Sequence, residues 1–309
     1  MNPLIDIIFE ASLTLTTPEL IPNNTMNDIS KELISLSLKE DLLDIGDLTS
    51  HYFVDGEHRS SGKIVSRESA IVSGVAVAIE VCRQVDSALV VEEVCADGSA
   101  VSKGETVVEF SGPTRSILTA ERTALNFMQR LSGVATVTRT FMDLIAHTSV
   151  RLLDTRKTTP GFRELEKAAV LHGGGTNHRM GLYDAVMVKD NHLAANLKPI
   201  DLAERIGQLK AERPDIKIEV EADRLDQFAA FLRIDRIDVV LLDNMSNSQL
   251  VEAVSMRDTA GSPILLEASG GVNLDTISAI AETGVDFISV GALTHSVRSI
   301  DLGLDLVEE

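Results

Sequence analysis

The feature that most constrains this chain is a recurrence of apolar, strand-length runs between residues 151 and 291. The runs are Arg151-Leu-Leu-Asp-Thr155, Ala185-Val-Met-Val-Lys189, Ile216-Lys-Ile-Glu-Val-Glu221, Val239-Val-Leu-Leu-Asp243, Ile264-Leu-Leu-Glu267 and Phe287-Ile-Ser-Val-Gly291. Helical stretches separate several of them, at Leu202–Ala211, Leu225–Leu232, Leu250–Met256 and Leu274–Glu282. Apolar strands alternating with helices build a parallel sheet covered on both faces. Six units of this size predict a barrel, with an open doubly wound sheet as the alternative.

The first 131 residues have a different texture. Short β segments at Lys63–Ser66, Leu89–Val94 and Glu105–Phe110 are bounded by glycines, and one helix, Val75–Val85, sits between them. They predict a small α+β layer with an antiparallel sheet. A helix opened by Asn27–Asp28 precedes it, with Ile29, Leu33, Leu36, Leu38 and Leu42 as its apolar face and Gly46 near its end. A third helix is expected over Thr114–Leu131, with Arg122 off its apolar stripe. Residues 1–25 read as a polar extension.

Charge excludes some partners. With 28 Lys and Arg against 47 Asp and Glu the net charge is -19, so nucleic acid and anionic membrane are not expected to bind. No run of about 18 uncharged apolar residues suggests a membrane span, and the N-terminus has no basic segment of a secretory signal. Cys82 and Cys95 are too few for a disulfide framework and read as core. A soluble cytoplasmic protein is the expectation.

Functional groups of parallel α/β folds gather at the C-terminal ends of strands. Here those ends are polar: Asp154-Thr-Arg-Lys-Thr-Thr-Pro160, Lys189-Asp-Asn-His192, Glu219 with Glu221, Asp243-Asn244, Glu267-Ala-Ser-Gly-Gly271 and Gly291-Ala-Leu-Thr294. Residues 151–192 hold seven Lys and Arg against five Asp and Glu, a basic region that suits a multiply anionic small molecule. Ser269-Gly270-Gly271 and Gly291 let backbone N–H groups approach a phosphate. Glu221 and Asp243 are hard oxygen ligands suited to Mg²⁺ shared with substrate phosphates. Glu219 and Glu221 are read as facing opposite sides of their strand, so that at most one of them enters a given site. No nucleophile elbow, P-loop, zinc-protease or dinucleotide motif is present. Group transfer from a phosphorylated, Mg²⁺-bound donor to a carboxylate-bearing acceptor is the economical reading. The rivals are a Schiff-base lyase using a buried strand-end lysine of depressed pKa, and a binding protein that kept the fold.

Several long motifs resemble the quinolinate phosphoribosyltransferase family: Glu121-Arg-Thr-Ala-Leu-Asn126 with Ser132-Gly-Val-Ala135, Asp154-Thr-Arg-Lys-Thr-Thr-Pro-Gly-Phe-Arg163, Gly173-Gly-Gly-Thr-Asn-His-Arg179, Val188-Lys-Asp-Asn-His192, Leu242-Asp-Asn244 and Glu267-Ala-Ser-Gly-Gly271. The resemblance covers residue 27 to the C-terminus. It implies an N-terminal α+β sandwich domain with an antiparallel sheet (26–131, joined by about 295–309) and a C-terminal incomplete α/β, TIM-like barrel (132–294). It also implies transfer of phosphoribose from phosphoribosyl pyrophosphate to quinolinate, with Mg²⁺ and loss of CO₂, in a homodimer or a hexamer.

By the same resemblance Arg156, His178, Arg179 and Lys189 would hold the quinolinate carboxylates, and Arg122 would reach in from the partner subunit. Lys157 and Thr158 would contact the donor, and Glu221 and Asp243 its ribose hydroxyls and Mg²⁺. Lys157, Glu221 and Asp243 would thus carry the catalysis, while Ser269, Gly270, Gly271 and Gly291 would cradle the 5′-phosphate. His192 is read as orienting its neighbours and His172 as structural. Ala168-Ala169, Leu171-His172 and Thr176 depart from the family's usual residues beside the basic pocket, and the extension and acidity are not explained by it.

Overall fold

The computed structural model describes residues 26–194 and 199–307; the 1–25 extension lies outside them. The chain begins with α1 (Asp28–Leu42), capped by the Asn27 side chain, which accepts from the Ser30 N–H at 2.9 Å. Its buried stripe is Ser30, Ile34 and Leu38, spaced by four, while Ile29 and Leu36 are exposed, so the expected face is corrected. The Ser30 hydroxyl donates to Glu164 in the C-terminal half, and that contact turns a stripe with a polar member inward. Next comes α2 (Leu48–Phe53), capped by Asp47, which accepts from the Ser50 N–H at 3.0 Å.

The N-terminal sheet contains β1 (Arg59–Ser66), β3 (Val90–Glu93), β5 (Thr106–Pro113) and β12 (Leu302–Val307), in the order β12-β1-β5-β3 and antiparallel throughout. A two-stranded pair, β2 (Ala70–Ile71) with β4 (Ala100–Val101), lies beside it. β12 returns from the far end of the sequence, pairing Ser61 with Val307 through to Ser66 with Leu302. Two helices, α3 (Val75–Val85) and α4 (Thr114–Ile145), supply the second layer. Cys82 is buried in that core, where desolvation pushes its thiol up to about 12, and Cys95 packs against the same core.

α4 does not stop at Leu131 but runs unbroken to Ile145. Gly133, which marks the textural change in the sequence, is a close-approach glycine rather than a terminator. A Cβ there would lie 2.2 Å from the Arg298 carbonyl oxygen, on the segment leading back to β12.

The C-terminal half is the expected parallel sheet. It comprises β6 (Arg151–Leu153), β7 (Ala185–Val188), β8 (Lys217–Ala222), β9 (Val239–Asp243), β10 (Leu265–Ser269) and β11 (Phe287–Ser289), ordered β6-β11-β10-β9-β8-β7. Helices α5 (Arg163–His172), α6 (Asp190–Ala194), α7 (Pro199–Glu212), α8 (Leu225–Phe231), α9 (Asn247–Ala260), α10 (Ile277–Ala281) and α11 (Ala292–His295) intervene or follow. The barrel is incomplete: among the described residues no ladder joins β6 to β7, and the free edge of β6 meets only Thr176, whose N–H donates to Leu152 O at 2.8 Å.

Alternation along these strands assigns the two faces. Val220, Val240, Leu242, Leu266 and Ile288 pack outward in the main core, under the helices. Leu153, Val239, Leu265 and Phe287 fill the inside. Steps of two from Val239 and Leu265 put Asp243, Glu267 and Ser269 on the inner face as well, and β8, with Ile218 and Val220 outward, turns Glu219 and Glu221 the same way.

The return to β12 is tied down by Glu68, which accepts from Arg298 Nη2 at 2.6 Å and from the Asp301 N–H at 2.9 Å. The Arg298 hydrogen bond, then the Asp301 N–H, lower the Glu68 pKa to about 2 from its ordinary 4.5. A carboxylate depressed on folding adds stability above its unfolded pKa and loses it as pH falls through the folded one. Urea midpoints of wild type and Glu68→Gln should therefore differ by a constant amount above about pH 5 and converge as the pH approaches 2.

Candidate active site

The strand ends bring most of the predicted residues together. Arg156, three residues beyond β6, is half-buried, and its Nε is buried without a hydrogen-bond partner. Arg179 donates through Nη1 to Ala185 O at 2.9 Å; burial, then the neighbouring charge of Arg156, lower its pKa. Two guanidiniums close enough to repel, one with an unspent buried donor, form a site that an anion stabilises. Lys189, at the end of β7, sits 3.2 Å from Glu221. The His192 Nδ1 accepts from the Lys189 N–H at 2.9 Å, one residue before the Asp190 and Asn191 it was read as orienting.

Opposite these cations stand the carboxylates. Glu221 and Asp243 are joined by Asp223, and one oxygen from each lies within 4.8 Å of the others. Burial, then the charges of Glu221 and Asp223, raise the Asp243 pKa, and the nearby Lys189 offsets this only in part. Asp223 was missed, although it continues the period-two series Glu219, Glu221, Asp223.

The glycine-rich turn after β10 is shaped by Gly270, at φ +95°, where a Cβ would sit 2.1 Å from Asn244 Oδ1. Asn244 in turn donates its N–H to Ser269 O at 2.9 Å and its side-chain amide to Asp243 at 2.6 Å, so turn and carboxylate are built as one unit. Gly271 is exposed beside it. The Lys157 stem runs over Gly291, where a Cβ would lie 2.9 Å from Lys157 Cδ and 3.1 Å from the His295 ring. His295 is an exposed imidazole at this edge that the sequence reading did not single out. The Thr158 hydroxyl accepts from Arg163 Nε at 3.1 Å, so it braces the loop.

Arg122 stands apart. It lies on α4 with its side chain 60% exposed, 4.0 Å from Glu121, and no contact among the described residues ties it to the strand ends of its own chain.

The assignment of Glu219 is corrected. Residues two apart on a strand share a face, and Glu219 points inside with Glu221. His178 Nε2 lies 3.0 Å from Glu219 and 3.4 Å from Glu267. Burial disfavours charge on this ring, but Glu267 and Glu219 outweigh it and push its pKa up to about 10. The Arg179 N–H lies 2.7 Å from Nδ1, and Nε2 carries the proton that meets Glu219 and Glu267. Burial, then the charge of Glu267, raise Glu219 to about 7. The same hydrogen bond argues against a metal ion on His178, Glu219 and Glu267, because Nε2 then carries hydrogen instead of a free lone pair. Beneath them a cavity of about 180 Å³ is lined by Arg179, Glu219, Glu267, Lys217 and Phe287. His172 is structural, with Nδ1 2.8 Å from the Ser73 hydroxyl.

A buried lysine of depressed pKa does exist, as the Schiff-base alternative requires. It is Lys167, which pairs with Asp154 and donates to His178 O at 2.9 Å. Held between those acceptors, it does not line the cavity.

A strand-end site that sets guanidiniums and lysines against clustered carboxylates, on an incomplete parallel barrel joined to an antiparallel α+β domain, defines an α/β-barrel protein built around a multiply anionic small molecule. Residues 47–132 match the quinolinate phosphoribosyl transferase N-terminal domain and residues 134–305 its C-terminal domain. The chain belongs to that family. It is 41% identical over 282 residues to a nicotinate-nucleotide pyrophosphorylase [carboxylating] of Mycobacterium leprae, covering 90% of this chain and 98% of the relative. It is 38% identical over 317 residues to the chloroplastic protein of that name in Arabidopsis thaliana, covering 97% and 90%. The solved nicotinate-nucleotide pyrophosphorylase of Francisella tularensis superimposes with a TM-score of 0.85 at 40% identity, covering 92% of this chain and 98% of that one.

Gly270→Ala should cost about 1–3 kcal/mol of stability, since it combines a positive φ with a clash against Asn244. Urea denaturation checks the loss, and Gly271→Ala, with nothing within 4 Å of the added carbon, should cost less.

Proposed function

We propose that the chain transfers the phosphoribosyl group of phosphoribosyl pyrophosphate to quinolinate with loss of CO₂, giving nicotinate mononucleotide and pyrophosphate, as the names of its relatives describe for them. The observation that carries this reading is the meeting of Arg156, Arg179 and Lys189 with Glu221 and Asp243 at one end of one sheet. The cations suit the two carboxylates of quinolinate. Arg156, with its free buried N–H, suits a planar bidentate grip.

The chemistry places complementary demands on the two sides. As the pyridine nitrogen bonds to the ribose anomeric carbon, the bond to pyrophosphate breaks and positive charge builds on the sugar. Glu221 and Asp243 lie where carboxylates favour that charge. Lys157, exposed beside Gly291, is placed to neutralise donor phosphate, with the N–H groups around Ser269, Gly270 and Gly271 cradling the 5′-phosphate. The attacking nitrogen carries no proton, so that step needs no base. The cationic ring then accepts the electron pair left as CO₂ departs, and its C2 carbon takes a proton from water.

Glu221 and Asp243, with Asp223 beside them, fit Mg²⁺: they are hard oxygen donors, and their mutual repulsion is relieved by a cation. Bound there, Mg²⁺ would stabilise the departing pyrophosphate.

A homodimer belongs to this reading. The single chain exposes Leu43, Ile45, Leu48, Tyr52 and Phe53 on and before α2, a degree of apolar exposure that marks contact surfaces. Arg122 is on the neighbouring helix: Thr119 on α4 bonds Asp47, the α2 cap, at 3.2 Å. Arg122 would thus enter the partner's site. A cytoplasmic location accords with two free cysteines and no disulfide among the described residues.

A spectrophotometric assay with quinolinate, phosphoribosyl pyrophosphate and Mg²⁺, with nicotinic acid as a parallel acceptor, tests the function. Turnover of quinolinate is expected, and turnover of nicotinic acid alone would overturn the acceptor assignment. Arg156→Ala should lower kcat/KM by about 2–5 kcal/mol, or at least ~30-fold. Arg122→Ala should lose activity to a similar extent. Dissociated and remixed with Arg156→Ala, it should recover up to about one quarter of wild-type activity, because half of randomly formed dimers carry one intact shared site out of two. No recovery would place Arg122 in its own chain's chemistry. Chelation should abolish turnover, Mg²⁺ should restore it, and Asp243→Asn should raise the Mg²⁺ concentration required.

A further inference from the structure

Behind the basic pocket lies a buried ion pair that the proposed chemistry does not use. Asp154 and Lys167 are both fully buried and paired through Asp154 Oδ1. Burial pushes Asp154 up to about 6 and pulls Lys167 down, each against the attraction of the other. Such a pair is a costly way to stabilise a core. Its hydrogen bonds point elsewhere: Asp154 accepts from the His178 N–H at 2.8 Å, and Lys167 donates to the His178 carbonyl at 2.9 Å. Both backbone groups of one residue are gripped by the two ends of one ion pair. The Asn177 amide, with its nitrogen turned toward the carboxylate, adds a donor to Asp154 Oδ2 at 3.1 Å.

We propose that Asp154 and Lys167 are positioning residues for the acceptor pocket: the pair fixes the two peptide groups that flank the His178 Cα, and through them the direction of the Arg179 guanidinium. The consequence is directional. His178 is also the residue whose ring meets Glu219 and Glu267 and whose Nδ1 takes the Arg179 N–H, so a rotation of its backbone misaims both side chains. The donor side hangs on other supports. Asp243, Asn244 and Ser269 are fixed by β9–β10 register and by Gly270, and the Lys157 carbonyl is held by the Thr294 hydroxyl at 2.7 Å. Loss of the pair therefore affects recognition of the dicarboxylate and spares that of the phosphorylated donor.

This inference rests on the function proposed above for its kinetic readout, and a second readout frees it from that dependence. Removing one partner strands a buried charge and can unfold the chain. The informative variant is accordingly the neutral pair Asp154→Asn with Lys167→Met, in which the amide oxygen introduced at position 154 can still accept from the His178 N–H. In the folded double variant the KM for quinolinate should rise about 10- to 100-fold while that for phosphoribosyl pyrophosphate stays within about twofold. Native-state exchange of the His178 and Arg179 amides should quicken about tenfold relative to amides of β9 and β10. Equal movement of both Michaelis constants, or unchanged exchange at His178, would reduce the pair to a structural role. If the wild type does not turn over quinolinate, the function proposal fails, and the amide exchange alone still decides the clamp.

Discussion

Carboxylates inside a narrow barrel are the constraint to which the rest of the site answers. Glu219, Glu221 and Glu267 are each largely buried, and Asp154 is buried just behind them. Burial of an unpaired carboxylate is prohibitively costly, so each must find a cation, a proton or a donor. Lys189 answers Glu221, His178 answers Glu219 and Glu267, and Lys167 answers Asp154. What these pairings leave over defines the function: an unspent donor on Arg156, mutual repulsion between Arg156 and Arg179, and an unrelieved charge at Asp243. An anion relieves the first two and a cation the third.

The six strands were legible because a parallel strand covered on both faces is an apolar run, and each expected run overlaps its strand, with β8 and β10 running one and two residues further. Most of the site was legible because it sits at strand ends, where polar residues interrupt those runs. What sequence could not show was parity and long-range pairing. Glu219 was set aside through a parity error, although a step of two keeps it beside Glu221. The α1 stripe was misplaced because leucines occupy several faces of that helix and the deciding contact, Ser30 with Glu164, spans 134 residues. Counting charge over 151–192 located the pocket but blended it with its scaffold. Arg151 lies over the Phe287 ring at 5.7 Å, Arg163 ties Thr158 to Met180 O, and Lys167 is buried in the clamp.

Gly133 shows how a local signal acquires its meaning from distant chain. Read in sequence, a glycine after an apolar stripe is a stop. In the fold it is the notch through which the returning C-terminal segment passes, on the way to pairing β12 with β1. The Gln129 amide donates to Leu302 O at 2.8 Å, and its carbonyl accepts from the Ile300 N–H at 3.0 Å, on the same helix one turn earlier. The boundary between the halves thus falls within one continuous helix. α4 carries Arg122 toward solvent from one part of its length and braces the barrel from another, so the exposed arginine is presented by a rigid rod instead of a loop.

Rigidity of that kind matters because the reaction joins two anionic molecules, and a site that attracts both must keep them in separate registers. In the reading proposed above, the acceptor cations are aimed by side chains and by the backbone clamp at His178, which suits a planar dicarboxylate. The side proposed for the donor consists of strand-end carboxylates and turn N–H groups, whose positions follow from sheet register and from Gly270. Different supports for the two halves mean that a change in one need not distort the other.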